Sequence, residues 1–180
     1  TPNVSPDFPA IAPFCAGSPA PQLGAVSPNG ITGTWSPAVI DNNASGTYTF
    51  TPAAGQCANT QVINVTVNAL PSAPVTGTIT QPTCSAGSGS VVLSGLPAGN
   101  WTINPGSVSG SGSNTTISGL APGTYSFTVT SDAGCTSAAS ANVIINAVPD
   151  APVAHAVLGA VRGRVLPRRI PAREGAERGV

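Results

Sequence analysis

The sequence predicts an all-β protein in which two small β-sandwich domains follow one another along the chain. Short runs rich in β-branched residues, such as 61–67 and 90–96, are separated by turns rich in glycine and proline. The 180 residues contain 21 Gly and 19 Pro, which interrupt nearly every window that could form an amphipathic helix. Many short strands with Gly- and Pro-rich turns are typical of sandwiches and barrels.

An internal repeat supplies the domain organisation. Gly46–Cys57 reappears as Gly123–Cys135, 77 residues later, and Asn64–Val75 reappears as Asn142–Val153, 78 residues later. A repeat of about 78 residues has the size of a small domain rather than of a solenoid unit.

The repeat predicts three regions. We expect repeat 1 at residues 1–70, repeat 2 at residues 71–149, and a linker with a basic tail at residues 150–180. The similar joints 68–75 and 146–153 contain proline, which predicts stiff connections between neighbouring domains.

Alternating polar and bulky residues predict the core strands. In 46–51 and 123–130 the aromatic residues recur at every second position, so they share one face of a strand. Residues 27–30 read as a turn and residues 104–114 as a flexible loop. The predicted core residues are Trp35, Tyr48, Phe50, Trp101, Tyr125 and Phe127.

Four cysteines fall at matching places, two in each repeat. Four cysteines allow three pairings, and the repeat favours one disulfide within each domain, Cys15–Cys57 and Cys84–Cys135. Because sandwiches of this size bury a modest core, such bonds would add stability. Disulfides predict an extracellular location, where the environment is oxidising.

Charge is distributed very unevenly along the chain. Residues 1–154 carry four Asp and no Lys or Arg, whereas all six Arg follow residue 160. A body without basic residues cannot neutralise phosphates, so nucleic acid is not an expected partner. No run of 18 apolar residues occurs, so we expect no membrane span.

The sequence predicts no enzyme and no required cofactor, because residues 1–154 lack His and Glu and their carboxylates are scattered. Calcium is the one metal to weigh, and its candidate ligands are Asp41, beside two Asn, and Asp150, in the second joint. Asp and Asn also suit turns for conformational reasons, so the same residues fit a purely structural role.

The ordered motifs resemble a known family of repeats. The order runs from Cys15, through Gly-Thr-Trp (33–35), to Gly-Thr-Tyr-Thr-Phe-Thr (46–51) and Gly-Gln-Cys (55–57). Repeat 2 has Asn-Trp-Thr-Ile (100–103) in the second place. These motifs resemble the Ig-like and PKD-like tandem repeats of Bacteroidota cell-surface proteins, including gliding-motility adhesins. The resemblance covers residues 14 to about 149 and implies Ig-like sandwiches, secretion, adhesive or spacer roles, and no catalytic residues.

The resemblance ends after Val153, where a third repeat should begin and a basic segment follows instead. Three interpretations of this segment remain open. It is a sequence foreign to the protein, a disordered basic tail, or an assembly element that adds a strand to the sheet edge of a neighbour. Its candidate assembly residues are Val157, Leu158, Val161, Val165 and Leu166.

Two functions follow from these alternatives. The first is a non-enzymatic structural or adhesive module of a bacterial surface protein. The second is a subunit of an extracellular filament in which a terminal segment completes the next subunit. Expected partners are other copies or adjoining repeats, with surface glycans and proteins as further candidates.

Overall fold

The structure is a computed structural model that describes residues 3–148, and this range contains β-strands and no helix. The prediction of an all-β fold is therefore confirmed, and no helix in this part of the chain could cross a membrane. The strands are β1 (Phe14–Cys15), β2 (Gly33–Ser36), β3 (Gly46–Pro52), β4 (Gln61–Val65), β5 (Val67–Asn68), β6 (Val75–Thr80), β7 (Gly89–Ser94), β8 (Asn100–Asn104), β9 (Val108–Ser111), β10 (Asn114–Leu120), β11 (Gly123–Tyr125), β12 (Thr128–Ser131) and β13 (Val143–Ile145).

Repeat 2 has the layers of an Ig-like sandwich. One layer is the antiparallel sheet β10-β7-β6 and the other is the sheet β12-β8-β9, while β11 and β13 form a separate antiparallel pair. Alternate side chains of both layers enter one apolar cluster, as the period of two along a strand requires. Its fully buried members include Val91 and Leu93 from the first layer and Ile103 and Val129 from the second.

Repeat 1 is built around the antiparallel sheet β2-β3-β4. Trp35, Tyr48 and Phe50 are buried in its core, and the Phe8 ring lies 4.8 Å from Trp35 and 4.7 Å from Phe50 between ring centroids. Phe8 belongs to a segment without regular strand structure, so irregular chain covers part of this core. The two apolar clusters share no residue. The boundaries 1–70 and 71–149 stay a prediction.

The aromatic strand of repeat 2 is interrupted, although the sequence predicted a continuous strand over 123–130. β11 pairs with β13, and β12 pairs with β8. Two buried serines bond to this strand through both backbone and side chain. Their N–H groups donate to the carbonyls of Val129 and Phe127, while Phe127 N donates to Ser140 Oγ and Val129 N to Ser137 Oγ, both at 3.0 Å. Without these serines, the two backbone N–H groups would be buried without a hydrogen-bond partner.

The tyrosine of the interrupted strand forms a corner. The Tyr125 hydroxyl donates to the Ala121 carbonyl at 2.9 Å, which fastens the start of this strand to the preceding turn. A tyrosine bonded to the backbone a few residues upstream is a feature of Ig-like sandwiches at this point. Tyr125 is partly buried and stacks on the buried Phe127, with ring centroids 6.1 Å apart.

The two tryptophans occupy opposite strands of corresponding hairpins. Trp35 follows its hairpin turn and its indole N–H donates to Gly24 O, whereas Trp101 precedes its turn and donates to Gly112 O, both at 2.8 Å. When the repeats are aligned with an offset of 77 residues, Gly24 corresponds to Trp101 and Trp35 corresponds to Gly112. In each repeat, the indole therefore bonds across the hairpin to the glycine that corresponds to the tryptophan of the other repeat.

The turn predicted at Ser27–Gly30 is present, since Gly30 N donates to Ser27 O at 2.8 Å. The prediction of a flexible loop over 104–114 is wrong for the central part of that range. Residues 108–111 form β9, which pairs with β8 through Thr102 and Ser109. Serine and glycine are poor strand formers, but pairing with a buried neighbour strand overrides that weak preference.

Gly110 leaves the space that the Trp101 ring fills. A Cβ added to Gly110 would lie 2.6 Å from Cη2 of the indole, and Trp101 is only 3% exposed. We expect Gly110→Ala to lower the free energy of unfolding by about 1–3 kcal/mol, because a rigid buried ring cannot move aside cheaply. Urea unfolding followed by tryptophan fluorescence measures this. Gly87→Ala is the control, since a Cβ there meets nothing within 4 Å; equal losses in both variants would contradict the packing argument.

Candidate functional site: the junction between the repeats

The junction begins where the first and last strands of repeat 1 lie side by side. β1 pairs with β5 in parallel, with Phe14 opposite Val67 and Cys15 opposite Asn68. Just beyond, Ala16 N donates to Asn68 O at 2.9 Å. The start of repeat 1 is therefore held against the residue from which the chain leaves for repeat 2.

A disulfide joins this point to repeat 2. Cys15 is bonded to Cys135, with their Cα atoms 5.6 Å apart, and Cys135 has no exposed surface. The Cys135 sulfur also lies 3.9 Å from the Asn68 carbonyl oxygen. Three segments meet here: the first strand of repeat 1, its last strand, and the turn that follows β12.

The predicted disulfide Cys15–Cys57 is wrong, because its two residues lie at opposite ends of repeat 1. Cys57 precedes β4, whereas Asn68, the register partner of Cys15, follows it. The five residues of β4 alone span about 13 Å, and a disulfide requires Cα atoms within about 7 Å. Cys57 is instead a free, exposed cysteine.

The predicted disulfide Cys84–Cys135 is wrong for the same reason. The loop of Cys84 lies at the end of β13, where the Gln81 side chain donates to Ile144 O at 2.9 Å and accepts from Asn146 N at 2.8 Å. That end of β13 is opposite Gly123, whereas Cys135 accepts from Ser131 N at the far end of β12. Gly123 is in β11 and Ser131 is in β12, which belong to different sheets, and Cys135 is bonded to Cys15.

The calcium candidate Asp41 has a local structural role outside this junction. Asp41 shapes a turn, because its Oδ1 accepts from Asn43 N at 2.8 Å while its own N–H donates to the Tyr48 hydroxyl at 2.9 Å. Within residues 3–148 no group of three or more His, Cys, Asp or Glu is placed to hold a metal ion. Asp150 and all five candidate assembly residues lie outside the described residues.

The outer face of the sheet β12-β8-β9 carries a shallow polar groove of about 420 Å³. The hydroxyl groups of Thr102 and Ser109 in this groove are 3.1 Å apart, and that of Thr130, which also lines it, is 2.8 Å from the Thr136 hydroxyl. Asp132 is the only titratable residue among those that line the groove. The groove offers hydrogen bonds to a polar ligand, but its one aromatic residue, Trp101, faces the core.

Comparisons with known proteins add little to this geometry. No protein-family model matches the chain, and no curated protein matches it. Among solved structures, the chain is similar to one described as "Biofilm associated protein - BSP domain", with 18% sequence identity and a TM-score of 0.30. The match covers 61% of this chain and only 20% of that one, and a likeness this distant carries no inference about function.

Digestion at aspartate distinguishes the observed disulfide from the predicted pairs. Cleavage before Asp7, Asp41, Asp132 and Asp150 puts Cys15 in 7–40, Cys135 in 132–149, and both other cysteines in 41–131. We expect mass spectrometry without reductant to find 7–40 linked to 132–149, with 41–131 separate from both. A single complex of all three fragments would contradict this result, since Cys15–Cys57 and Cys84–Cys135 together produce it. The Cys57→Ser variant should give the same linked pair.

Proposed function

We propose that this chain is a non-enzymatic structural or adhesive module of an extracellular bacterial surface protein. The observation that carries the proposal is the disulfide Cys15–Cys135 at the junction of the repeats. Disulfides with a structural role form and persist in oxidising surroundings, such as the cell surface and the extracellular space. The bond joins the beginning of repeat 1 to the last third of repeat 2, which suits a module that must keep its shape outside the cell.

The roles of the aspartates support a structural function over a catalytic one. Asp7 Oδ1 accepts from Asn29 N at 2.9 Å, and Asp41 stabilises its own turn. Catalytic carboxylates act in pairs or beside a nucleophile in a cleft. Asp132 lines an open groove whose other members are Asn, Ser, Thr, Gly and Trp.

The partners we propose are adjoining repeats or other copies of the chain, with surface glycans or proteins as ligands of the polar groove. Hydroxyl, amide and carboxylate groups of the groove can exchange hydrogen bonds with sugar hydroxyls or with backbone groups. Nucleic acid is not among the proposed partners, because residues 3–148 contain no Lys or Arg.

Localisation in the source cells tests the proposal. An antibody raised against residues 3–148 should label intact, unpermeabilised cells, and thiol trapping at the moment of lysis should recover Cys15 and Cys135 in the oxidised state. The matched control is an antibody against a cytoplasmic protein, which should label only permeabilised cells. Labelling that requires permeabilisation, with both thiols reduced, would reject an extracellular role.

A second candidate, a filament subunit completed by a neighbour's terminal segment, is favoured by an unpaired strand edge. β9 is at the edge of the sheet β12-β8-β9, and among the described residues it pairs only with β8. An edge with unpaired backbone groups can accept an added strand.

Electron microscopy of the purified chain tests this second candidate. If a terminal segment completes the next subunit, ordered fibres should form from the full chain and vanish when residues 155–180 are deleted. Deletion of Asn3 alone is a matched control that keeps the terminal segment. Single particles at every concentration, for the full chain as for the deletion, would remove the filament hypothesis.

A further inference from the structure

The Cys15–Cys135 bond closes a loop that contains nearly all of the regular structure. The two cysteines are 120 residues apart in sequence, and all strands from β2 to β12 lie between them. Every three-stranded sheet is therefore inside the loop, as is the proline-containing joint 68–75. Of the strands within residues 3–148, only β1, which contains Cys15 itself, and β13 lie outside it.

We propose that this bond gives the chain a mechanical function as a covalent bypass for tension. Force applied to the two ends of a polypeptide travels along the shortest covalent route. Here that route leaves the backbone at Cys15, crosses the disulfide, and rejoins the backbone at Cys135. Once the segments outside the loop have peeled away, the backbone of β2 to β12 carries none of the force, so the three-stranded sheets of both repeats stay folded while the chain is pulled. The proposed surface role explains only where the tension comes from, and the bypass depends on that role in no other way.

In the described part of the chain, two segments stay in the path of the force. Residues 3–14 are held by the pairing of Val4 with Ala58 and by Phe8, whose N–H and carbonyl both bond to the Gln61 side chain. Residues 136–148 are held by the pairing of β13 with β11 and by the buried side chains of Val143 and Ile145. Each segment is short, so peeling it off lengthens the chain by no more than about 50 Å.

The bypass also removes the joint between the repeats from the path. A proline-containing joint in a simple rod would transmit force from one domain to the next. Here Asn68, the first residue of the joint, lies beside Cys15 and 3.9 Å from the Cys135 sulfur. Tension therefore passes the joint without stretching it, and the repeats act as one unit instead of two links in series.

Single-molecule force spectroscopy on the full chain, with handles at Thr1 and Val180, tests the bypass. The oxidised chain should show only small extension steps, because the loop stays closed. Adding a dithiol reductant while the molecule is held under force should release about 400–430 Å of further contour length, the extended length of the loop. In that step the dithiol is oxidised to its cyclic disulfide, and Cys15 and Cys135 become thiols.

Matched variants keep the test decisive. Cys57→Ser retains the bond and should behave as the unsubstituted chain, while Cys15→Ser should extend by the additional length without any reductant. If Cys15→Ser fails to fold, the oxidised unsubstituted chain still decides the question. Full extension of that oxidised chain in the absence of reductant would overturn the bypass. This result is independent of localisation, because it is measured on purified protein.

Discussion

The covalent bond between Cys15 and Cys135 is the constraint on which the arrangement of the repeats depends. A loop of 120 residues closed in the unfolded state removes chain entropy equivalent to about 5 kcal/mol of stability. That contribution is comparable with the whole stability of many small domains. It matters here because each repeat has its own small apolar cluster, and the two clusters share no residue.

The bond is possible because the chain passes through one point three times. β1 and β5 run in parallel, which brings the beginning of repeat 1 to the position where repeat 1 ends. The turn after β12 then places Cys135 beside Asn68. A parallel pair between distant segments brings together residues that an antiparallel hairpin would keep at opposite ends. The disulfide therefore links the two repeats, although the matching positions of the cysteines in each repeat had predicted one bond within each repeat.

Hydroxyl groups maintain the fold where regular strand pairing stops. Ser137 and Ser140 are almost fully buried, and their oxygens accept from backbone N–H groups of the interrupted aromatic strand. In the described part of the chain no buried side-chain polar atom lacks a hydrogen-bond partner. A sequence with few charges can therefore build a β-sandwich core with serine and threonine supplying the polar contacts.

The sequence by itself determined the all-β class, the aromatic strand of repeat 1 and the turn at Ser27–Gly30, because these follow from local periodicity and turn chemistry. The tertiary structure alone decided the pairing of the cysteines, the strand at 108–111 and the opposite placement of the tryptophans. Those features depend on which distant segments lie side by side. A repeat in sequence shows that two residues hold equivalent positions, but only the folded chain brings Cys15 of one repeat within bonding distance of Cys135 of the other.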